Sequence, residues 1–331
     1  MTPATLLVLV ALTGAPRATP ESEARAFAAA YRRPAPLPPA PREQVELGRL
    51  LFFDPRLSGP GTLSCASCHN PSLSWGDGLA RGVGAGGKVL ARRTPTVLDV
   101  AWGLTFMWDG RFETLEAQAL SPVTSVDEMN LPEPQLAPRV AAVSRYRQGF
   151  ERAFPDAGVS TATIAKALAS FERTVVSGKA PFDRWVDGER GAISDAAKRG
   201  FVLFNTRAKC SKCHSGWRFT DESFHDIGVA DDDLGRGGLP EFTKFTVLQH
   251  AFKTPSLRDT ARRGPWMHDG SAKTLEDVVR LYDVGGLVKR PSLSADLTPL
   301  SLSPQDTTDL LELMKTFSAP VEVAVPVLPR D

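Results

Sequence analysis

Two five-residue segments carry the most distinctive chemistry in this chain. They are Cys65-Ala66-Ser67-Cys68-His69 and Cys210-Ser211-Lys212-Cys213-His214. Two thiols three positions apart, with a histidine directly after the second, form the attachment pattern of a c-type haem. The thiols can form thioethers to the porphyrin, and the adjacent imidazole can then bind the iron. The chain has four cysteines, so the two segments use every thiol and leave none for a disulfide or a nucleophile.

A Cys-x-x-Cys pair alone would also suit a zinc half-site or a redox pair. A structural zinc site would need both pairs close together and would leave the two histidines unexplained. We therefore predict two covalently bound haem c groups. His69 and His214 are then the proximal ligands, one for each iron.

The far side of the first iron is short of imidazole ligands. Of the five histidines in the chain, none lies between His69 and His214. If each half closes over its own haem, Met107 and Met129 remain as candidate ligands there. An iron with an open face can bind and activate a small oxidant, whereas an iron with two axial ligands mainly passes electrons.

The second iron has three candidate sixth ligands. They are Met267, His268 and Tyr282. Only one of them can bind, and spacing alone does not choose among them.

An internal repeat with an offset of 160 residues indicates a duplicated architecture. The matching segments are Arg93–Asp99 with Lys253–Asp259, Phe106–Gly110 with Trp266–Gly270, and Thr114–Glu116 with Thr274–Glu276. Each half is therefore predicted to be one cytochrome-like unit that holds one haem.

The apolar spacing predicts a mostly α protein with few strands. Helices are predicted over residues 42–53, 134–154, 160–177, 194–205, 274–282 and 303–317. Residues 76–88 contain six glycines and are predicted to be irregular, either as the wall or lid of the open haem face or as a surface linker. The predicted fold is two cytochrome c-like domains, each binding one covalent c-type haem, with long loops.

Composition and length set the boundaries of the prediction. A chain of 331 residues is long enough for two domains. Its 39 basic and 38 acidic residues give a charge of +1, which argues against a nucleic-acid surface or a polybasic membrane anchor. Residues 1–18 contain an apolar run of signal-peptide length, too short to span a bilayer, although no Lys or Arg precedes it. We predict export to the periplasm and no stable membrane insertion.

Four segments follow from these observations. Residues 1–18 are predicted to be a signal peptide, and residues 19–42 a loose leader rich in Pro and Ala. Residues 43–178 are predicted to form the N-terminal haem domain and residues 179–331 the C-terminal haem domain.

The chain resembles the bacterial di-haem cytochrome c peroxidase family, and more closely its MauG-like branch. The resemblance runs from about Val45 to Phe317. Besides the two haem motifs, it is carried by Leu50–Ser58, Arg93-Thr94-Pro95-Thr96, Phe224–Gly228 and Met267–Gly270.

The resemblance implies different roles for the two haems. His69 would be proximal to an N-terminal, high-spin, peroxide-binding haem, and His214 to a C-terminal, electron-transferring haem. Trp108 stands where the family places a tryptophan between the haems. Gln118 and Glu128 stand at the distal positions over the first iron, and Pro122 lies near them.

Two further positions distinguish the MauG-like branch. Many family members carry a histidine on the glycine-rich loop that blocks the peroxidatic iron until reduction moves it, and Ala85 stands in that place here. Many also carry a methionine ligand on the other haem, where this chain has Tyr282, as in the MauG-like branch.

Two departures limit what the resemblance implies. The family often binds calcium between the domains through an asparagine just before the Thr-Pro. This chain has Arg93 there and Arg263 at a companion position, which argues against calcium. The MauG that matures methylamine dehydrogenase has a tryptophan two residues before its second haem motif. Ala208 stands there in this chain, which argues against the same substrate reached by the same route.

The leading functional prediction is a periplasmic di-haem peroxidase. It would reduce hydrogen peroxide at the open N-terminal haem with electrons from a small cytochrome c or a cupredoxin. Glu128 would move the proton and Gln118 would orient the peroxide. The oxidising equivalents would be shared through Trp108 with a C-terminal haem bound by His214 and Tyr282. The alternatives are MauG-like oxidation of a protein substrate and a non-enzymatic di-haem electron carrier.

Overall fold

The computed structural model describes residues 19–321 and 323–330, so the predicted signal peptide lies outside the described residues. The helices are α1 Pro20–Ala28, α2 Arg42–Phe52, α3 Cys65–Cys68, α4 Leu115–Thr124, α5 Glu133–Ala141, α6 Ser144–Ala153, α7 Thr161–Glu172, α8 Pro181–Val186, α9 Asp195–Asn205, α10 Leu275–Asp283 and α11 Pro304–Lys315. Strands β1 (Phe224–His225) and β2 (Phe252–Lys253) pair in antiparallel fashion. The predicted mostly α fold is confirmed.

The first hydrophobic core is built on the crossing of α2 and α7. Leu47 and Leu51 of α2 and Leu168 of α7 are buried together in it. The two backbones approach closely at Gly48, where a Cβ atom would lie 1.9 Å from the carbonyl oxygen of Ala167. Only glycine allows this contact, so α2 lies directly against α7.

The second hydrophobic core uses the same device with a different pair of helices. Phe201 of α9 and Leu313 of α11 are buried in it. A Cβ atom on Gly200 would lie 2.1 Å from the carbonyl oxygen of Asp309. Each half of the chain therefore has its own core around one close helix crossing.

The N-terminal segment differs from the predicted loose leader. Residues Pro20–Ala28 form α1, which begins with a capping box at Thr19 and has proline at its first position. The helix packs against α9 of the second half. Just beyond it, the Tyr31 hydroxyl donates a hydrogen bond to Oδ1 of Asn205 over 2.7 Å. The prediction of a loose segment is therefore wrong for this part of the leader.

The C-terminal segment packs on the first half of the chain. Val321 and Val323 pack against the first core, and Nη1 of Arg49 donates to the carbonyl oxygen of Ala324 over 3.1 Å. Each end of the described chain thus lies on the half that is distant in sequence. The domain boundary near residue 178 stays a prediction.

The helix predictions differ from the structure in several places. The predicted helix over residues 134–154 is two helices, because Val143 is extended between α5 and α6. The predicted helix over residues 160–177 ends at Glu172. Helices α4 and α8 were not predicted; α4 contains Pro122, which weakens its helical pattern.

The duplication is visible in the backbone itself. Met107 and Met267 both have positive φ angles, 71° and 70°. The amide of Phe106 donates to the carbonyl of Phe112, and the amide of Trp266 donates to that of Ala272, each over 2.8 Å. Because the same rare conformation recurs at the same offset, the two segments are one motif used twice. Among the described residues, no helix has the length and apolar character needed to cross a bilayer.

Candidate active site

A single cavity of about 1040 Å³ is lined by both Cys-x-x-Cys-His segments. None of the four cysteines forms a disulfide. A pair of cysteines beside an imidazole, repeated twice around one large cavity, fits two haem groups.

The first segment positions His69 through the short helix α3. The His69 amide donates to the Cys65 carbonyl over 2.8 Å, which places the imidazole one turn after the first thiol. Nδ1 of His69 lies 3.3 Å from the carbonyl oxygen of Trp75. A carbonyl oxygen can only accept, so Nδ1 carries the proton and Nε2 keeps a free lone pair for a metal. Burial lowers the pKa of His69 and favours this neutral form.

The second segment reproduces this arrangement. The His214 amide donates to the Cys210 carbonyl over 2.8 Å. Nδ1 of His214 donates to the carbonyl of Phe219, also over 2.8 Å, which leaves Nε2 free as before. Burial lowers the pKa of His214. Both histidines are therefore prepared to bind iron through the same nitrogen atom.

The first half presents a carboxyl and an amide to the cavity. Glu128 and Gln118 both line it, together with Pro122. Burial raises the pKa of Glu128, against a smaller opposing contribution from the Ser125 hydrogen bond. A carboxyl group with a raised pKa is suited to taking up and returning a proton near neutral pH.

The two methionines considered as ligands of the first iron have other contacts. Met107 and Met129 both line the cavity, and Met129 is also buried in the first hydrophobic core. The sulfur of Met107 lies 3.9 Å from Nε2 of Gln118, which donates to it. Met107 therefore helps to orient the Gln118 amide.

The glycine-rich loop, residues 76–88, forms part of the cavity wall. The Ala85 amide donates to the Glu128 carbonyl over 2.6 Å. A Cβ atom on Gly84 would lie 1.9 Å from the carbonyl oxygen of Asp127. Gly84 and Arg81 line the cavity, whereas Ala85 does not. The loop is thus held against the backbone that carries Glu128.

The second half brings all three candidate sixth ligands to the cavity. Met267, His268 and Tyr282 line it. Nε2 of His268 hydrogen-bonds to Asp231, and its ring stacks on Phe252 with centroids 3.5 Å apart. Within the described chain the Tyr282 hydroxyl makes no hydrogen bond. Burial, followed by the nearby Cys213 and Cys210, raises the pKa of Tyr282.

Trp108 connects the two halves. Its indole Nε1 donates to the Arg93 carbonyl over 2.8 Å, and its own carbonyl accepts from the amide of Lys253 over 2.8 Å. Its ring centroid lies 6.3 Å from that of His268. Trp108 therefore lines the shared cavity where residues of both halves meet.

This chain is similar to known proteins over most of its length. Residues 42–191 match the family model described as di-haem cytochrome c peroxidase. The chain is 48% identical over 328 residues to methylamine utilization protein MauG of Methylorubrum extorquens, covering 96% of this chain and 92% of that protein. The chain belongs to the di-haem cytochrome c peroxidase family. Within this family it falls in the MauG-like branch.

Two further relatives support the same placement. Methylamine utilization protein MauG of Methylophilus methylotrophus is 47% identical over 301 residues, covering 90% of this chain and 89% of that protein. The crystal structure of a MauG-like protein associated with microbial copper homeostasis superposes with a TM-score of 0.78 at 31% identity, covering 87% of this chain and 93% of that one. The predictions of an oxidoreductase with haem cofactors are confirmed by this family membership.

The sequence analysis did not predict one buried carboxyl residue that lines the cavity. Glu172 of α7 lines the cavity, and its Oε2 atom is buried without a hydrogen-bond partner. Burial raises its pKa to about 8. The signal in the sequence is its place four residues after Leu168, on the apolar face of α7.

Proposed function

We propose that the protein is a MauG-like enzyme that uses hydrogen peroxide to oxidise a protein substrate. Two covalent haem c groups would be attached through Cys65 and Cys68, and through Cys210 and Cys213. The strongest support is the difference between the two sides of the cavity, with Glu128 and Gln118 on one and Tyr282 on the other. The relatives named MauG, at 48% and 47% identity, point in the same direction.

The reaction needs a proton relay at the first haem. When bound, the haem iron supplies the position at which the O–O bond of peroxide is activated. Glu128 would take a proton from the nearer oxygen of peroxide and return it to the departing oxygen, which leaves as water. Gln118 would donate a hydrogen bond that holds the peroxide in line. Peroxide gains two electrons and two protons in all, and the substrate supplies both electrons.

The second half would store part of the oxidising power. Its iron would be bound by His214 and Tyr282, and an anionic phenolate stabilises oxidised iron more than a thioether does. The surrounding protein favours the neutral phenol, and a bound cation reverses that preference. Trp108 contacts both halves and would carry electrons between them.

The position of the protein substrate differs from that implied by the methylamine dehydrogenase route. Ala208 is buried in the second core and lines the cavity. An alanine side chain cannot be oxidised in a relay, so we propose a different path or a different substrate. We further propose export to the periplasm and a haem centre that works without calcium.

The second candidate function is reduction of peroxide with electrons from a small cytochrome c or a cupredoxin. It is favoured by relatives named as peroxidases, such as cytochrome-c peroxidase IdrP1 of Pseudomonas sp., 34% identical over 338 residues.

Stopped-flow mixing of the fully ferric holoprotein with peroxide tests the proposal. We expect the spectrum of both haems to change without prior reduction, and the oxidised state to persist in the absence of substrate. Addition of a reduced cytochrome c or cupredoxin separates the two functions. Rapid turnover of many donor molecules per enzyme would favour the peroxidase, and no spectral response at the first haem would contradict both.

A further inference from the structure

Arg93 and Arg263 are buried side by side in the shared cavity. They are 6% and 7% exposed, and both line the cavity with the two haem motifs. Nη2 of Arg93 donates to the carbonyl of Arg263, and Nη2 of Arg263 donates to the carbonyl of Ser256 over 2.5 Å. The Nε atom of each is buried without a partner. Within residues 19–321 and 323–330, neither guanidinium has a carboxylate partner.

Other arginines of the same chain show that this is an exception. Arg258 is almost fully buried and forms two hydrogen bonds with Asp183, over 2.8 and 2.7 Å. Arg92 directly precedes Arg93 and binds both oxygens of Asp233, over 2.7 and 2.8 Å. Among the described residues, the other arginine buried to this degree, Arg258, is thus supplied with a carboxylate, and so is the partly buried Arg92.

Two adjacent buried cations without a carboxylate in ion-pair contact are unfavourable. Asp77 acts on Arg93, and Asp259 and Asp99 act on Arg263, only through space. Burial of a charge removes its hydration, and an unpaired charge recovers little of that loss. Burial lowers the pKa of Arg93. Burial and then the charge of Arg93 lower the pKa of Arg263 to about 10. A free energy cost of this kind is offset when an anion from outside the polypeptide occupies the space between the cations.

The haem groups bring such anions into this cavity. A haem carries two propionate carboxylates, and a guanidinium binds a carboxylate through two parallel hydrogen bonds. We propose that Arg93 and Arg263 bind haem propionates and that their fixed positive charge raises the reduction potential of the haem beside them. This inference requires haem in the cavity, and it does not depend on the proposed reaction.

Spectroelectrochemical titration of the holoprotein measures the effect directly. Replacement of either residue, Arg93→Gln or Arg263→Gln, removes a positive charge next to a group that becomes more negative on reduction. We expect the ferric-to-ferrous ratio of at least one haem, at fixed potential, to rise about tenfold, which corresponds to a potential lower by about 59 mV. The matched control is Arg262→Gln, whose side chain is 49% exposed; its effect should be less than about twofold because solvent screens the charge.

Lysine variants separate the effect of the charge from the effect of the side-chain shape. Arg93→Lys and Arg263→Lys retain the charge, so their potentials should stay close to the wild-type value. If the glutamine variants do not accumulate with haem, the lysine variants replace them in the test. A tenfold change in the ferric-to-ferrous ratio of a lysine variant would then contradict the electrostatic role. Unchanged potentials in both glutamine variants with full haem content would overturn the proposal.

Two arms on the wild-type protein identify the source of the anion. Chloride or inorganic phosphate should leave the potentials unchanged, because the propionates already occupy the guanidinium groups. A saturable shift with either ion would assign the site to a free anion and overturn the propionate assignment. Calcium and EDTA should likewise have no effect, and a calcium-dependent shift would mean that the cavity holds a cation there instead.

Discussion

Two helices at equivalent positions of the repeat, one in each half, line the cavity, yet they present different chemistry to it. Helices α4 and α10 begin at Leu115 and Leu275, which are equivalent in the repeat. Gln118 and Pro122 of α4 line the cavity in the first half. At the same offset, α10 presents Val278 and Tyr282.

This difference shows how one duplicated scaffold can support two functions. A proline ring cannot bind iron, so we propose that Pro122 helps to leave the first face open for a small oxidant. Tyr282 offers a phenol oxygen at the equivalent position in the second half. The imidazoles of His69 and His214 are prepared alike by a backbone carbonyl. We propose that the division of labour lies on these two helices and in Glu128.

Loss of the Glu128 carboxylate should have the largest effect. A positioned acid–base group contributes about 100-fold to 10,000-fold to a proton-transfer reaction. We expect Glu128→Gln to slow the reaction of ferric protein with peroxide by that amount, measured by stopped flow. The spectrum of the second haem should not change, because Glu128 lies in the first half.

The control for this variant is Asp127→Asn. Asp127 is the exposed neighbour of Glu128, with a side chain 58% exposed. It should react at the wild-type rate once Glu128 is ionised, and the rate should reach that value at a slightly lower pH, because the Asp127 charge helps to raise the pKa of Glu128. Because Glu128 must be ionised to accept the proton and burial raises its pKa, the wild-type rate should rise with pH through that pKa. If Glu128→Gln kept this pH dependence, another group would be the base.

Exchange of the proposed ligand of the second iron, Tyr282→Met, should have the next largest effect. A neutral thioether favours reduced iron more than a phenolate does, so the potential of the second haem should rise by on the order of 100 mV. Spectroelectrochemistry measures the shift, and electron paramagnetic resonance reports the change of ligand. Tyr282→Phe serves as the control that removes the oxygen without adding a new ligand. An unchanged resonance spectrum in both variants would assign the sixth position to Met267 or His268.

Local sequence was sufficient to predict the features that depend on residue type and spacing alone. The two haem segments, the repeat and the helices α2, α9, α10 and α11 could be predicted, because attachment motifs and apolar spacing are local properties. The capping box at Thr19 and Pro20 would also have indicated α1. Its packing on α9 could not have been predicted, since it joins segments far apart in the chain.

The charged residues of the cavity show the same limit. Arg92 and Arg93 are adjacent in sequence, yet one has a carboxylate partner and the other has none. The partners of Arg92 are Asp109, in the same half, and Asp233, in the other half of the chain. Whether a buried charge is paired depends on such long-range contacts, which local patterns do not encode. Glu172 is a partial exception: its spacing from Leu168 places it on the apolar face of α7, but the lack of a partner for its Oε2 atom depends on long-range contacts.

Removal of the buried carboxyl Glu172 should change the pH dependence of stability. Burial raises its pKa from 4.5 to about 8 in the folded protein, so the folded state holds a proton that the unfolded state has lost. The stability that the folded protein gains from keeping Glu172 protonated is fully present below pH 4.5 and is lost as the pH rises through about 8. From this group alone, we expect the free energy of unfolding to fall by about 1.4 kcal/mol per pH unit near neutrality.

Thermal unfolding of the wild-type and Glu172→Gln holoproteins across this range measures the difference. The glutamine variant should lose this part of the pH dependence and be the more stable protein at high pH. Glu151→Gln is the control, since Glu151 is exposed on α6. Parallel pH curves for wild type and Glu172→Gln would show that the carboxyl is ionised in the folded protein.

The helix caps offer the smallest and most closely matched test of the two halves. Thr114 accepts from the amide of Ala117 over 3.2 Å, and Thr274 accepts from that of Asp277 over 3.1 Å. Each Thr→Ala change should cost about 1 kcal/mol in the free energy of unfolding, measured by denaturant titration. If each helix positions the chemistry of its own half, Thr114→Ala should slow the peroxide reaction, and Thr274→Ala should shift the potential of the second haem.

The decisive comparison is with a cap that supports neither distal face. Ser303 accepts from the amide of Asp306 over 3.2 Å at the start of α11, a helix that carries none of the candidate axial ligands. Ser303→Ala should cost a similar free energy and leave both functional readouts unchanged. Should all three variants alter both readouts equally, the effect would be one of global stability. The two distal helices would then not act independently, and the division of labour would have to arise elsewhere in the cavity.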